Sequence, residues 1–201
     1  MNNKNKIILD LCGGTGAWSR PYKAAGYDVR VITLPEHNVH TFNPPKNVYG
    51  ILAAPPCTMF SRARTTAKTP RDFRGAMQTV QHCLRIIWES QYENHFVLRF
   101  WAMENPAGHL QRFMGRPAFK FHPFDFGDPH SKQTYIWGLF NEPKKRPIKL
   151  TEEEIRRSKN NTRKLPEIPD NYRRDGKMKP VQIRRSITPS GFAQAFFNAN
   201  R

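Results

Sequence analysis

Cysteine is scarce in this chain, and acid is scarcer than base. Three cysteines, Cys12, Cys57 and Cys83, stand among 201 residues. They are too few for a disulfide framework, and none forms a CxxC pair of the kind that holds structural zinc. No apolar run approaches the ~20 residues that cross a bilayer. Residues 1–6 are polar, without the hydrophobic stretch of a signal peptide. No repeat appears at periods of about 20 to 50 residues. The expected setting is a reducing cytoplasm, with no membrane and no metal. Asp and Glu number 16 against 33 Lys and Arg, a net charge of +17. An excess of that size points to a polyanionic partner, nucleic acid first. What is plentiful is apolar: 38% hydrophobic residues, with 14 Phe, 6 Tyr and 4 Trp. That content argues against disorder and suits one domain with its own core.

The order of elements points to an α/β sheet. Lys6 to Asp10 reads as a buried strand, Asp28 to Leu34 as a second, Asn47 to Ala54 as a third and Phe96 to Met103 as a fourth. Between them, Ala17 to Ala25 reads as a helix closed by Gly26. A longer helix spans Asp72 to Tyr92, with Phe73, Met77, Val80, Leu84, Ile87 and Trp88 on one face. Strands alternating with helices predict a mostly parallel, twisted sheet with helices on both faces. After residue 143 the composition changes. Residues 144–186 hold 15 Lys or Arg against 6 Asp or Glu. Thr151 and Glu154 there form a capping box for a helix over Thr151 to Ser158, while the rest reads as extended. Order returns with Thr188 as N-cap, Pro189 at the first helical position, and Phe192, Ala193, Phe196 and Phe197 as an apolar face. The expected organisation is a core of residues 1–143, a basic insertion over 144–184 and a returning helix over 185–201.

Three motifs carry chemistry. Asp10-Leu-Cys-Gly-Gly-Thr-Gly-Ala-Trp18 takes a strand through a glycine turn into a helix. Such a turn either serves packing alone or brings backbone amides to a nucleotide-like cofactor. Its spacing is not that of the dinucleotide binders or of the phosphate loop. Ala53-Ala-Pro-Pro-Cys57 places a cysteine where open α/β sheets hold ligands. That thiol is either a small buried hydrophobe or a nucleophile. Trp101-Ala-Met-Glu-Asn-Pro106 sets a carboxylate, Glu104, at the same sheet edge, as a loop carboxylate or a proton donor.

Together these motifs, in this order and spacing, resemble the DNA cytosine-5 methyltransferases, and the small phage-type members most. The likeness extends to Phe126-Gly-Asp-Pro-His-Ser-Lys-Gln-Thr-Tyr-Ile-Trp-Gly138 and to Arg185-Ser-Ile-Thr-Pro-Ser-Gly-Phe-Ala193. It implies a class I S-adenosylmethionine-dependent methyltransferase fold. By that resemblance Asp10, Leu11, Cys12, Gly13, Gly14, Thr15, Gly16 and Trp18, with Thr33, Leu34, Pro55, Ser186 and Ile187, hold S-adenosyl-L-methionine. Cys57 attacks C6 of cytosine, and Glu104 contacts N3 and the exocyclic amine. Lys132 stands in for the positive charge that the family draws from a glutamine-and-arginine motif. Ser61, Arg62, Arg64 and Lys68 after the cysteine loop, and Arg184 and Arg185 before the last helix, are the candidate contacts to DNA.

The sequence also departs from the family. The second strand ends Thr33-Leu34-Pro35, where the family carries an acid for the cofactor ribose; Glu36 is the nearest carboxylate. Only the basic insertion stands where a target-recognition domain is usual, which leaves recognition to phosphate contacts or to a partner protein. The expectation is a monomer in the cytoplasm, the host's cytoplasm if the protein is phage-encoded. Three rivals stay open. One is amino methylation, disfavoured because Ala54 precedes Pro55-Pro56 and offers no acceptor. Another is C5 modification of RNA or of a free pyrimidine nucleotide. The last is a catalytically inactive nucleic-acid-binding member of the fold.

Overall fold

A computed structural model describes residues 3–65, 67–93, 98–158, 165–170, 172 and 180–201. The first strand, β1 (Ile7–Leu11), is entirely buried. Its alternating side chains therefore feed two cores. Leu9 and Leu11 join a cluster on one face of the sheet, and Ile8 joins another on the opposite face. That two-sided burial is why β1 reads as an unbroken apolar run. It pairs in parallel with β2 (Asp28–Ile32) on one side and β3 (Val48–Ala53) on the other. β3 pairs in parallel with β4 (Phe100–Pro106). Two further strands, β5 (Phe119–Phe121) and β6 (Thr134–Leu139), complete a six-stranded sheet in the order β2-β1-β3-β4-β6-β5. β6 runs antiparallel to both of its neighbours. The result is a mostly parallel α/β sheet with one strand, β6, running against its neighbours, as the alternation of strands and helices predicted.

Helices cover both faces. On one, α2 (Phe73–Glu93) buries Val80, Cys83, Ile86 and Ile87 against Leu9, Leu11 and Ile51. This stripe is rotated from the sequence expectation. Trp88, assigned to the core face, is 62% exposed and instead packs on Tyr92, with ring centroids 5.1 Å apart. At 100° per residue, Cys83 and Ile86 fill the stripe between Val80 and Ile87, and Trp88 falls outside it. On the other face lie α1 (Arg20–Ala24), shorter than expected, and α6 (Ser190–Ala199). Their core is aromatic: Trp18 and Tyr22 meet Phe192, Phe196, Phe197 and Phe100 at centroid distances of 5.0 to 5.7 Å. The fourth strand starts later than expected, at Phe100, and the first two residues of its expected span lie outside the described residues.

The start of α6 departs from the local signal. Thr188 does not cap it. The helix opens at Ser190, and its first amides are met by Asp128 from a distant turn. Gly191 N–H donates to Asp128 Oδ2 at 2.9 Å, and Ser190 Oγ donates to Oδ1 at 3.2 Å. Gly191 is needed here for space, because a Cβ would lie 1.9 Å from the Phe126 carbonyl oxygen. The capping box at Thr151 and Glu154 does form, at the head of α4 (Glu152–Ser158). A further helix, α5 (Pro180–Ser186), occupies residues expected to be extended. Among the described residues, no helix is long and apolar enough to cross a membrane.

Replacing Asp128 with Ala removes the cap of α6 and is expected to cost about 1 kcal/mol. That corresponds to a thermal midpoint lowered by roughly 2–4 °C for a domain of this size. Asp128→Asn, which keeps one acceptor oxygen, loses less; differential scanning calorimetry of both variants checks this.

Candidate active site

Strand order reverses between β1 and β3, since the chain leaves β1 for β2 on one side and comes back for β3 on the other. Open sheets bind ligands in the crevice at the carboxyl ends of the strands flanking such a reversal. The glycine turn follows β1 there, and Pro55-Pro56-Cys57 follows β3. The two exits are tied together by Ala54 N–H donating to Leu11 O at 2.9 Å, and the β1 exit is tied to the end of β2 by Cys12 N–H donating to Ile32 O at 2.8 Å.

The turn is built around Asp10. That carboxylate is fully buried, and its Oδ2 accepts from Ser19 Oγ at 2.6 Å. Oδ1 is buried with no hydrogen-bond partner. A Cβ on Gly13 would lie 2.4 Å from the Asp10 carboxyl carbon, so only glycine passes over it. Cys12, Gly14 and Gly16 take positive φ in the same turn. Burial pushes the Asp10 carboxyl up to about 6, against the pull of the Ser19 hydroxyl. Beside the turn, Gly14, Thr15, Val31, Thr33, Leu34, Glu36 and His37 line a cavity of about 340 Å³. A buried acceptor without a donor, backbone held open by glycine and an adjoining cavity together suit a cofactor that carries an ammonium group and a nucleoside.

At the neighbouring strand ends three reactive groups converge. β4 carries Glu104, and the register of β6 places Thr134 opposite Pro106, which brings Lys132 to the same edge. Lys132 Nζ donates to Glu104 Oε1 at 3.4 Å, with the two side chains 24% and 15% exposed. Cys57 lies within electrostatic range of both. Burial pushes its thiol up, the Lys132 ammonium pulls it down and Glu104 pushes it up again; the net is upward, so the resting group is a thiol. Burial acts to lower the Lys132 ammonium, but Glu104 and Cys57 outweigh it and the net is upward, so Lys132 is a firm cation. Asn105, fully buried, donates from Nδ2 to Pro55 O at 2.9 Å and so fixes the cysteine loop to β4. The loop closes with Phe60 and Ser61 amides donating to Cys57 O at 3.0 and 2.8 Å. Ser61 also bridges Gly108, beyond β4.

Other candidate residues fall elsewhere. Trp18 is 2% exposed inside the aromatic core, so its ring serves packing rather than the cleft. The fully buried Leu11 likewise belongs to the core. Ser186 turns its hydroxyl to Ile183 O at 2.7 Å. Ile187 lines a different cavity, of about 650 Å³, with Arg20, Asp128 and His130. Among the proposed phosphate contacts, Arg62, Lys68 and Arg185 are exposed. The Arg64 guanidinium is engaged within its own loop, donating to Thr69 O and Oγ1 at 2.8 Å. Arg184 is likewise engaged, holding Pro166 O at 2.8 Å and Leu165 O at 2.5 Å. These two are corrections to the expected DNA contacts: a guanidinium spent on backbone carbonyls is not presented to phosphate. Sequence reading missed Asn105 and Ser19 as parts of the site's scaffold. Asn105 follows Glu104 directly, and a buried Asn beside a strand-end acid is the signal that could have found it.

No family model and no curated protein matches this chain. Solved structures do. A methyltransferase of Entamoeba histolytica aligns at 12% identity over 73% of this chain and 57% of its own, with a TM-score of 0.42. The Dnmt2 methyltransferase of S. pombe aligns at 13% identity over 87% of this chain and 58% of its own, at 0.43. A variant of DNMT2 from Spodoptera frugiperda aligns at 19% identity over 67% of this chain and 50% of its own, at 0.41. The chain thus spans about half the length of the solved structures it matches.

The buried Asp10 has a consequence for stability. Its folded pKa, about 6, lies above the ordinary 3.8. Stability that is fully present below pH ~4, where the group is protonated folded or unfolded, is therefore lost as pH rises to about 6. His130, pushed down to about 4 by burial, Lys132 and Arg185, has the opposite slope over much of the same range. Wild type alone therefore shows little net trend, and the comparison with Asp10→Asn isolates the carboxylate. The ligand-free variant is expected to gain on wild type between pH ~4 and ~6, by on the order of 3 kcal/mol, and to hold that gain above. Urea titrations at pH 4, 5, 6 and 7.5 measure it.

Proposed function

We propose that this chain methylates C5 of cytosine in nucleic acid, DNA first, using S-adenosylmethionine and a covalent adduct on Cys57. The observation that carries this reading is the meeting of a thiol, a carboxylate and an ammonium at one sheet edge, beside a glycine turn fit for the cofactor. Cytosine is aromatic and resists alkylation at carbon. Addition of Cys57 Sγ to C6 breaks the conjugation and loads electron density on C5. The thiol gives up its proton to solvent as the S–C6 bond forms, and the Lys132 cation stabilises the sulfur anion at that moment. Glu104 contacts N3 and the exocyclic amine, and a proton shared between its carboxyl and N3 draws density away from C6, which favours attack there. When bound, S-adenosylmethionine supplies an electrophilic methyl group for C5. Loss of the C5 proton and departure of Cys57 Sγ then restore the aromatic ring. Asp10, Gly13, Gly14, Thr15, Thr33 and Leu34 are the residues placed to hold the cofactor. The net charge of +17 supports a polyanionic substrate, and a base inside a duplex must leave the stack to reach the thiol.

Transfer of labelled methyl to duplex DNA, single-stranded DNA, RNA and free dCMP tests this reading. Label at cytosine C5 in a polymer, absent in Cys57→Ala, is the expected result. Label on dCMP alone transfers the reading to nucleotides, and no label anywhere from cofactor-bound protein rejects it. Lys132→Met is expected to lower the single-turnover rate by roughly a hundredfold, in the range seen for losing one preorganised charge. Its pH–rate profile should move to higher pH, since the thiol loses the cation that pulls it down. Affinity for duplex DNA is expected to fall steeply with salt, log–log linear, as phosphate contacts release counterions; a flat salt titration contradicts that.

A further inference from the structure

The cavity beside the glycine turn has a wall that comes from the basic insertion. Gly14 and Thr15 border it from the turn, and Val31, Thr33 and Leu34 from the end of β2. Among the described residues β2 is the edge of the sheet, and no further strand fences the cleft on that side. Leu34 is 59% exposed there, an apolar side chain at the mouth of a cavity. The remaining lining residues are Pro169 and Tyr172, which belong to the insertion.

The segment that carries them is anchored. Arg184 on α5 donates from Nε to Pro166 O at 2.8 Å and from Nη2 to Leu165 O at 2.5 Å, two bonds from one planar fork. Leu165 and Ile183 are buried at 9% and 3% exposure, so the segment is also held by apolar contact. Tyr172 N–H donates to Pro169 O at 2.9 Å, which turns the chain toward the cavity. Prolines at 166 and 169 restrict the backbone between the anchor and the turn. Pro169 also lines the larger cavity, so the segment borders both spaces.

We propose that residues 165–170 and 172 form the outer wall of the cofactor's nucleoside pocket, with Pro169 and Tyr172 facing Leu34 across the ring and Arg184 as the positioning residue that holds them. This rests on the cofactor reading above. A flat heteroaromatic ring is the ligand chemistry that such a slot suits, since an aromatic ring, a proline and a leucine offer apolar faces. Glu36, which lines the same cavity, is the carboxylate placed near the ribose hydroxyls. The insertion that stands where a recognition domain is usual thereby serves the cofactor, whatever its charges do for nucleic acid.

Isothermal titration of the full chain with S-adenosylmethionine, and separately with adenosine, tests the proposal. Tyr172→Ala is expected to weaken both ligands at least tenfold, and Tyr172→Phe to stay within about twofold of wild type. Arg184→Gln is expected to weaken them similarly. The double variant Tyr172→Ala with Arg184→Gln should lose less than the product of the single losses, because both act through one wall. In methyl transfer the loss should appear in KM for the cofactor, with kcat at saturation retained. Thermal midpoints of the ligand-free variants close to wild type show that the fold is kept. Wild type that binds S-adenosylmethionine while Tyr172→Ala and Arg184→Gln bind it equally well overturns the wall and leaves the cofactor reading standing. Wild type that binds neither ligand overturns both.

Discussion

Asn105 is buried at the end of β4, and its amide nitrogen donates to the carbonyl of Pro55 at the end of β3. Losing it would leave a buried carbonyl unsatisfied and free the cysteine loop from its neighbour strand. Everything reactive in the molecule hangs from that junction. Cys57 lies two residues beyond Pro55, and Glu104 one residue before Asn105. β6, zipped to β4 through six residue pairs, delivers Lys132 to the same edge. Backbone and side-chain hydrogen bonds across three strands thus place a thiol, a carboxylate and an ammonium with few free torsions between them. Preorganisation of this kind lets modest charges act strongly, because the groups need not be gathered at the moment of reaction.

Two acids, Asp128 half-buried and Asp10 fully buried, are answered differently. Asp128 is answered by the first turn of α6, with Gly191 N–H and Ser190 Oγ as donors. Asp10 is answered on one oxygen only, by Ser19. The first is a cap that closes the fold. The second keeps one acceptor unfilled beside the glycine turn, where it destabilises the ligand-free protein. Stability given up at one carboxylate beside a cleft is the usual signature of a site shaped for something other than the fold.

Much of this was legible in the sequence, and the parts that were not share a cause. β1 and β3 announced themselves as apolar runs because they are buried on both faces. α2 announced itself by its period, although the stripe it buries is rotated and leaves Trp88, at the edge of the periodic face, exposed. Cys57 and Glu104 stood out as motif residues at strand ends. By contrast, α5 has a single buried side chain, Ile183, so no periodic pattern marked it. The cap of α6 comes from a residue 62 positions away, which no local pattern at Thr188 and Pro189 could reveal. Arg184 looked like a phosphate ligand because it sits among basic residues; only the fold shows its fork engaged on the backbone at Leu165 and Pro166. Lys132 was placed by motif, but its pairing with Glu104 depends on an antiparallel register that the sequence does not spell out.

The aromatic core on the α1 face joins residues from opposite ends of the sequence. Tyr22 O–H donates to Asn200 O at 3.1 Å, across 178 positions. Trp18 and Tyr22 are thus covered only when Phe192, Phe196 and Phe197 have arrived. Contacts of such separation close late, since the intervening chain must first be ordered. During synthesis the residues of the opposite face, where α2 meets β1 and β3, are all in place in the chain by about residue 137, while the aromatic face waits uncovered for roughly sixty residues more. The nascent protein therefore passes through a half-clad stage with a row of bare rings, and its yield in the cell depends on how long that stage lasts and what shields it.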